Sequence, residues 1–202
     1  MPRTAVEAPT NPETMTENQR ARRLRVLEAV LAMIGEGGVR DLQMRELADR
    51  SGVALGTVYR YFSSKDHVVA AALVEWGRKL DQKLTNRPVA GATMQQRLKA
   101  VLRQGVRPFQ HEPEFARVMI DAGTSEDPFA SECYQQLGGI VQGVMARAVP
   151  ELSEDERDRV LLVVGGVWYT SLVEWVSGRA SITEVYERLD TACEMTLGWR
   201  ER

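Results

Sequence analysis

Residues 42–65, LQMRELADRSGVALGTVYRYFSSK, gather the residue types needed to read a nucleic acid. Tyr59, Arg60, Tyr61 and Phe62 crowd aromatic and basic groups together, and Lys65 follows closely. An arginine can pair two donors with guanine, while lysine and tyrosine suit phosphate oxygens. Two short helices and a turn must position them. Leu47, Val53, Val58 and Tyr61 fall where two crossing helices would meet, with small Ala48 at the closest approach. Gly52 sits in the turn, where a positive φ is cheap only for glycine. Gly56 and Thr57 leave the outer face of the second helix open to a phosphate backbone. This is the layout of a helix-turn-helix. The plainer alternative is a packed helix pair in an all-α protein. Ser63 or Ser64 can cap the next helix. Lys65 in its first turn fits the helix dipole poorly unless a phosphate is its partner.

The run VALGTVYRYF at 53–62, with Lys65 after it, resembles the signature of TetR-type transcriptional repressors. The resemblance implies an all-helical homodimer with a small DNA-binding head and a larger inducer-binding domain. It also implies the roles of single residues. Gln43 and Arg45 would touch the DNA backbone and a base. Ala54, Leu55, Gly56 and Thr57 would lie at the major-groove edge. Tyr59 and Arg60 would face bases, and Tyr61 and Lys65 would hold phosphates. A narrower likeness runs through VAGAT at 89–93, Gln96-Arg97-Leu98, Val167-Trp168, Leu172, Trp175 and RAS at 179–181. These residues resemble the actinobacterial cholesterol-catabolism repressors of the same family. From about 105 to 160 this likeness fades. It implies a regulator of sterol or lipid breakdown that senses an apolar effector such as a steroid-derived CoA thioester. A regulator of a multidrug efflux gene, with the same head and a promiscuous aromatic pocket, is the alternative.

Composition agrees. The net charge of −2 does not suggest a protein that coats nucleic acid. Residues 16–65 carry nine Arg or Lys against six Asp or Glu, a modestly basic head on an acidic remainder. Cys133 and Cys193 are far apart and outside any CxxC pattern, as expected of apolar packers in a reducing cytoplasm. The polar, proline-containing start lacks the apolar core of a signal peptide. Residues 160–173 are nearly apolar but short of the roughly 20 that a membrane span needs, so a buried helix is expected.

Helical periodicity runs nearly throughout, and no stretch sustains strand alternation. The sequence therefore predicts an all-α protein of about nine helices, with no cofactor and no metal. Residues 1–15 are expected to be a disordered arm, 16–63 the DNA-binding domain, and 64–202 the ligand-binding and dimerisation domain. Leu24, Leu27, Leu31 and Ile34 are expected to line the first helix, which Gly37-Gly38 ends; Arg20, Arg22, Arg23 and Arg25 crowd its start. Val69, Leu73, Trp76, Leu80 and Leu84 stripe a long fourth helix, followed by a linker over 87–92. Thr93 with Gln96, Ser153 with Glu156, and Ser181 with Glu184 read as capping boxes.

In the larger domain, Trp168, Tyr169, Leu172 and Trp175 put bulky apolar groups on several faces of one helix, as a helix shared with a dimer partner, or a central core helix of a monomer, would require. Phe109, Phe115, Met119, Val141, Met145, Trp168 and Leu172 are the candidate effector-binding residues, with Arg103, Arg107 or Arg117 available for a charged end. Gly138-Gly139 and Gly165-Gly166 suggest close helix packing or room for a ligand. Two histidines, His67 and His111, are too few for a zinc site unaided, and no hydrolase or nucleotide-binding motif occurs in context. Operator DNA, a small apolar effector and a second copy are the expected partners, without a membrane or a catalytic role.

Overall fold

The structure, a computed structural model, describes residues 8–37, 39, 42–85 and 89–198. Residues 1–7 of the expected arm, Gly38, and Arg87-Pro88 of the expected linker lie outside these. Among the described residues there are nine α-helices and no strand: α1 Glu17–Gly35, α2 Met44–Ser51, α3 Leu55–Tyr61, α4 Lys65–Thr85, α5 Met94–His111, α6 Pro113–Ala122, α7 Pro128–Ala146, α8 Glu154–Val176 and α9 Ile182–Leu197. The packing forms two compact units. One groups the chain as far as Trp76 with Val118–Leu137, and the other groups Gly77–Arg117 with Gly138–Arg202.

Local chemistry accounts for the helix ends. The Thr16 hydroxyl accepts from the Gln19 N–H, and the Gln19 side chain accepts from the Thr16 N–H, which starts α1. Thr93 and Ser181 cap α5 and α9 as their spacing predicts. At α8 the Glu156 carboxylate accepts from both the N–H and the hydroxyl of Ser153. Gly52 ends α2 at φ 63°, the left-handed conformation its place in the turn demands. Residues 8–15 of the expected arm carry local structure. Asn11 caps a 3-10 turn at Pro12–Thr14, and Met15 is buried.

In the first unit, α1 buries Val26, Leu27, Val30, Met33 and Ile34. The expected stripe is rotated on the helix, leaving Leu24 exposed and Leu31 half-buried. Every residue from His67 to Val74 is buried, so the start of α4 is enclosed on all sides.

A polar cluster holds that start. The Ser64 hydroxyl accepts from the His67 N–H at 3.0 Å and caps the helix. The Ser63 N–H donates to His67 Nδ1 at 3.1 Å, and the Ser63 hydroxyl donates to Asp127 at 3.3 Å. Asp127 also accepts from the N–H groups of Phe129 and Ala130, capping α7. Burial opposes the Asp127 charge, but hydrogen bonds from Ser64, Ala130 and Phe129 hold its carboxyl below the usual range. The His67 ring lies between Phe62, edge-on at 5.4 Å, and Phe129, stacked at 5.5 Å. Close by, Tyr134 lies so near Gly123 that a Cβ there would come within 2.8 Å of the ring.

In the second unit, α9 packs along α8 and α5. Val185, Leu189, Ala192, Cys193 and Leu197 form its buried face. Ion pairs tie these helices at the surface: Lys99 to Glu194, Arg103 to Asp190, and Arg188 to Glu174. Helix α8 is long and apolar enough to cross a membrane by length and composition alone. It is only partly the buried helix expected. Val160, Leu161, Val164, Trp168, Ser171 and Leu172 are buried, whereas Leu162 and Val163 are 76% and 49% exposed. A Cβ at Gly138, Gly139, Gly143 or Gly166 would meet nothing within 4 Å, so these glycines do not mark tight helix contacts. Cys133 and Cys193 are both buried thiols, and burial pushes the Cys193 thiol up to about 12.

Burial lowers the His67 pKa from 6.5 to about 4; the Asp127 charge opposes this shift and Arg23 adds to it. The folded protein thus binds this proton less readily than the unfolded chain. The stabilisation is fully present above pH 6.5 and is lost as the pH falls through about 4. It amounts to about 3 kcal/mol at 1.36 kcal/mol per pKa unit. Thermal or urea unfolding between pH 7.5 and 4 should therefore show falling stability. His67→Asn, which keeps an acceptor near the Nδ1 position and cannot protonate, should flatten that slope.

Candidate nucleic-acid interface

Helix α3 has only two turns, and its faces divide cleanly. Val58 and Tyr61, three apart, are buried, whereas Gly56, Tyr59 and Arg60 lie exposed on the other side. Tyr59 is 51% exposed, unusual for a tyrosine in a packed head. The exposed Arg60 carries its guanidinium over the Tyr61 ring at 5.6 Å, which limits its freedom. A Cβ at Gly56 would meet nothing within 4 Å, so this edge is open to close approach. Beside it, Arg45, Ala48, Asp49, Gly52, Val53, Ala54 and Leu55 line a surface depression at the α2–α3 turn.

The sequence-derived contacts fall into three groups. Gln43, Arg45, Ala54, Gly56, Tyr59 and Arg60 are exposed, and Leu55, Thr57 and Lys65 are half-buried. Tyr61 does not fit the role assigned to it. It is 1% exposed, and its hydroxyl is buried without a hydrogen-bond partner, so it is a core side chain of the head rather than a phosphate ligand. Its type is ambiguous in sequence, since a tyrosine carries both an apolar ring and a polar tip.

Around this edge the cations are unequal. Arg20, Arg22 and Arg25 on α1 are exposed, whereas Arg23 is half-buried over the Phe62 ring at 5.1 Å. Arg50 on α2 is paired with Glu36 at 2.6 Å and Glu46 at 3.2 Å, which raise its pKa and neutralise its charge locally. One contact escaped sequence reasoning. The N–H and the hydroxyl of Thr10 both donate to the Arg60 carbonyl, at 2.9 and 3.2 Å. No local pattern signals a bond between residues fifty apart.

The candidate effector residues are less unified. Phe109, Phe115, Met119, Met145, Trp168 and Leu172 are buried, and Val141 is half-buried. The Phe109 and Trp168 rings lie 5.9 Å apart, and Met145 reaches the face of α8 at Gly165. Six of the seven belong to the second unit, but Met119 groups with the first. The arginines proposed for a charged end are partly engaged: Arg103 pairs with Asp190 and covers Tyr186, and Arg117 pairs with Glu114. Among the described residues no group of three or more His, Cys, Asp or Glu is placed to hold a metal ion.

Known proteins share both parts of this architecture. Residues 26–72 match the bacterial regulatory proteins of the tetR family, and residues 91–196 match the tetracyclin repressor-like C-terminal domain. The chain is 37% identical over 188 residues to the HTH-type transcriptional repressor KstR of Mycobacterium tuberculosis, covering 92% of this chain and 85% of that protein. A TetR transcriptional regulator from Rhodococcus sp. RHA1 superposes with a TM-score of 0.79 at 26% identity, over 90% of this chain and 98% of that one. Thermus thermophilus FadR, a TetR family repressor solved in complex with lauroyl-CoA, shares the fold at a TM-score of 0.69 and 17% identity, over 87% and 93% of the two chains. The chain belongs to the TetR family of bacterial transcriptional regulators.

Proposed function

We propose that this protein is a cytoplasmic, ligand-released repressor that binds a palindromic operator as a homodimer and controls genes of sterol or lipid breakdown. The carrying observation is that the likeness to the repressor KstR spans 92% of the chain, so it includes the regulatory part as well as the head. The linker and C-terminal residues that resemble cholesterol-catabolism repressors point the same way. The effector fits a large apolar acyl or steroid group ending in CoA. Lauroyl-CoA bound to a protein of this fold supports that class.

Exposed Tyr59 and Arg60 on α3 read bases, and Gln43, Arg45, Ala54, Leu55, Gly56, Thr57 and Lys65 meet the groove edge and the phosphates. A second copy packs on α8 and α9, where the large apolar Leu162, Val163 and Met195 are exposed. A two-fold dimer presents two such heads to paired half-sites. Effector binding changes the tilt of α4 and with it the spacing of the recognition helices. Tenfold release needs only about 1.4 kcal/mol of coupling.

The test is a gel mobility shift on DNA from upstream of the protein's own gene, with and without a steroid-CoA thioester. The proposal expects a specific shift that the thioester abolishes. A shift indifferent to the thioester removes the steroid effector, and no shift even at low salt removes the operator. Substitutions separate the contacts. Arg60→Ala should relax base preference and cost about 1–3 kcal/mol at the operator. Lys65→Ala should weaken all sequences alike and lower the salt slope. Tyr61→Phe, which deletes only a buried hydroxyl, should leave both unchanged.

A further inference from the structure

Helix α3 ends without the usual device for satisfying its last carbonyls. No glycine follows it. Phe62 turns extended at φ −137°, with its N–H on the Val58 carbonyl, and its ring is fully buried. The Arg60 carbonyl would face outward with no donor from its own helix. The arm supplies two. Thr10 donates its N–H at 2.9 Å and its hydroxyl at 3.2 Å to that one oxygen.

The arm is itself anchored. The Asn11 side chain accepts from the Glu13 N–H at 2.9 Å, Met15 is 3% exposed, and the Thr16 capping box begins α1. From Thr10 to Thr16 the chain is a short strut between the start of α1 and the end of α3. We propose that Thr10 is a positioning residue for base recognition: by holding the Arg60 carbonyl from outside the helix-turn-helix, it fixes the last turn of α3 and thus the direction from which Arg60 meets a base. This rests on the reading of α3 as the recognition helix.

The test uses the full chain and duplex DNA selected from a random pool by the wild-type protein. Thr10→Pro removes both donors, Thr10→Val removes the hydroxyl alone, and Thr10→Ser keeps both. Discrimination between the selected site and single-base variants should fall roughly three- to tenfold in Thr10→Pro, the worth of one or two ordinary hydrogen bonds. It should fall less in Thr10→Val and hold in Thr10→Ser. The loss should vanish when Arg60 is already Ala, because the two residues act through one contact. Low-salt affinity for unrelated duplex should not change. Should Thr10→Pro fail to fold, Thr10→Val carries the same comparison. Wild-type discrimination in Thr10→Pro or, if it does not fold, in Thr10→Val would overturn the proposal. So would a loss that persists over Arg60→Ala or that weakens all DNA equally. A wild-type protein that enriches no sequence refutes the recognition-helix reading instead.

Discussion

The burial of Phe62 is the constraint on which the head depends. Its ring has no exposed surface and meets Tyr61 edge-on at 6.4 Å, His67 edge-on at 5.4 Å, and the Arg23 guanidinium at 5.1 Å. Through His67 the contact passes to Phe129 on α7. One aromatic residue thus joins α1, α3, α4 and α7. It also sets the length of α3. To enter the core, Phe62 must leave the helical conformation, so α3 stops after seven residues. Two serines then cap and support α4. A helix so short is marginal in isolation. Its place is therefore fixed from outside, by Phe62 and Thr10 at its end and by the Gly52 turn at its start.

The electrostatics favour selective binding over strong general attraction. The basic excess of the head is small, and Arg50 is already neutralised by two glutamates. Arg20, Arg22, Arg25 and Arg45 are exposed, and each phosphate contact they could make would add salt-dependent affinity. In the proposed reading, discrimination falls to a small edge of α3. In the second unit the charges serve packing. The α5–α9 and α8–α9 ion pairs lie at the surface, where such pairs are worth at most about 1 kcal/mol each. They align helices whose apolar faces supply most of the stability.

Much of this was legible in the sequence. The two short helices and the Gly52 turn stood out because each rests on local chemistry: a small residue at a crossing, a left-handed turn, apolar groups three and four apart. The caps at Thr93, Ser153 and Ser181 were visible for the same reason. Other features were not. Periodicity gives a helix an apolar side but fixes its rotation loosely, so the buried face of α1 turned out to centre on Val26, Val30 and Met33 rather than Leu24 and Leu31. For Tyr61 the spacing, which put it at the helix crossing with Leu47, Val53 and Val58, agrees with its burial, and the phosphate role came only from the resemblance. The bonds from Thr10 to Arg60 and from Ser63 to Asp127 join residues fifty and sixty-four apart, and no local pattern encodes them. The glycine pairs left close packing and room for a ligand both open, and the space beside Gly138, Gly139 and Gly166 speaks against close packing there.

The central claim is that this chain reads a defined DNA sequence with a two-fold pair of α3 helices. Selection of binding sites from a random duplex pool by the purified full-length protein tests it most directly. The account predicts enrichment of an inverted repeat whose half-site centres lie about one helical turn, or a whole number of turns, apart. A pool that shows no enriched sequence after repeated selection, or a single motif without two-fold symmetry, would contradict it.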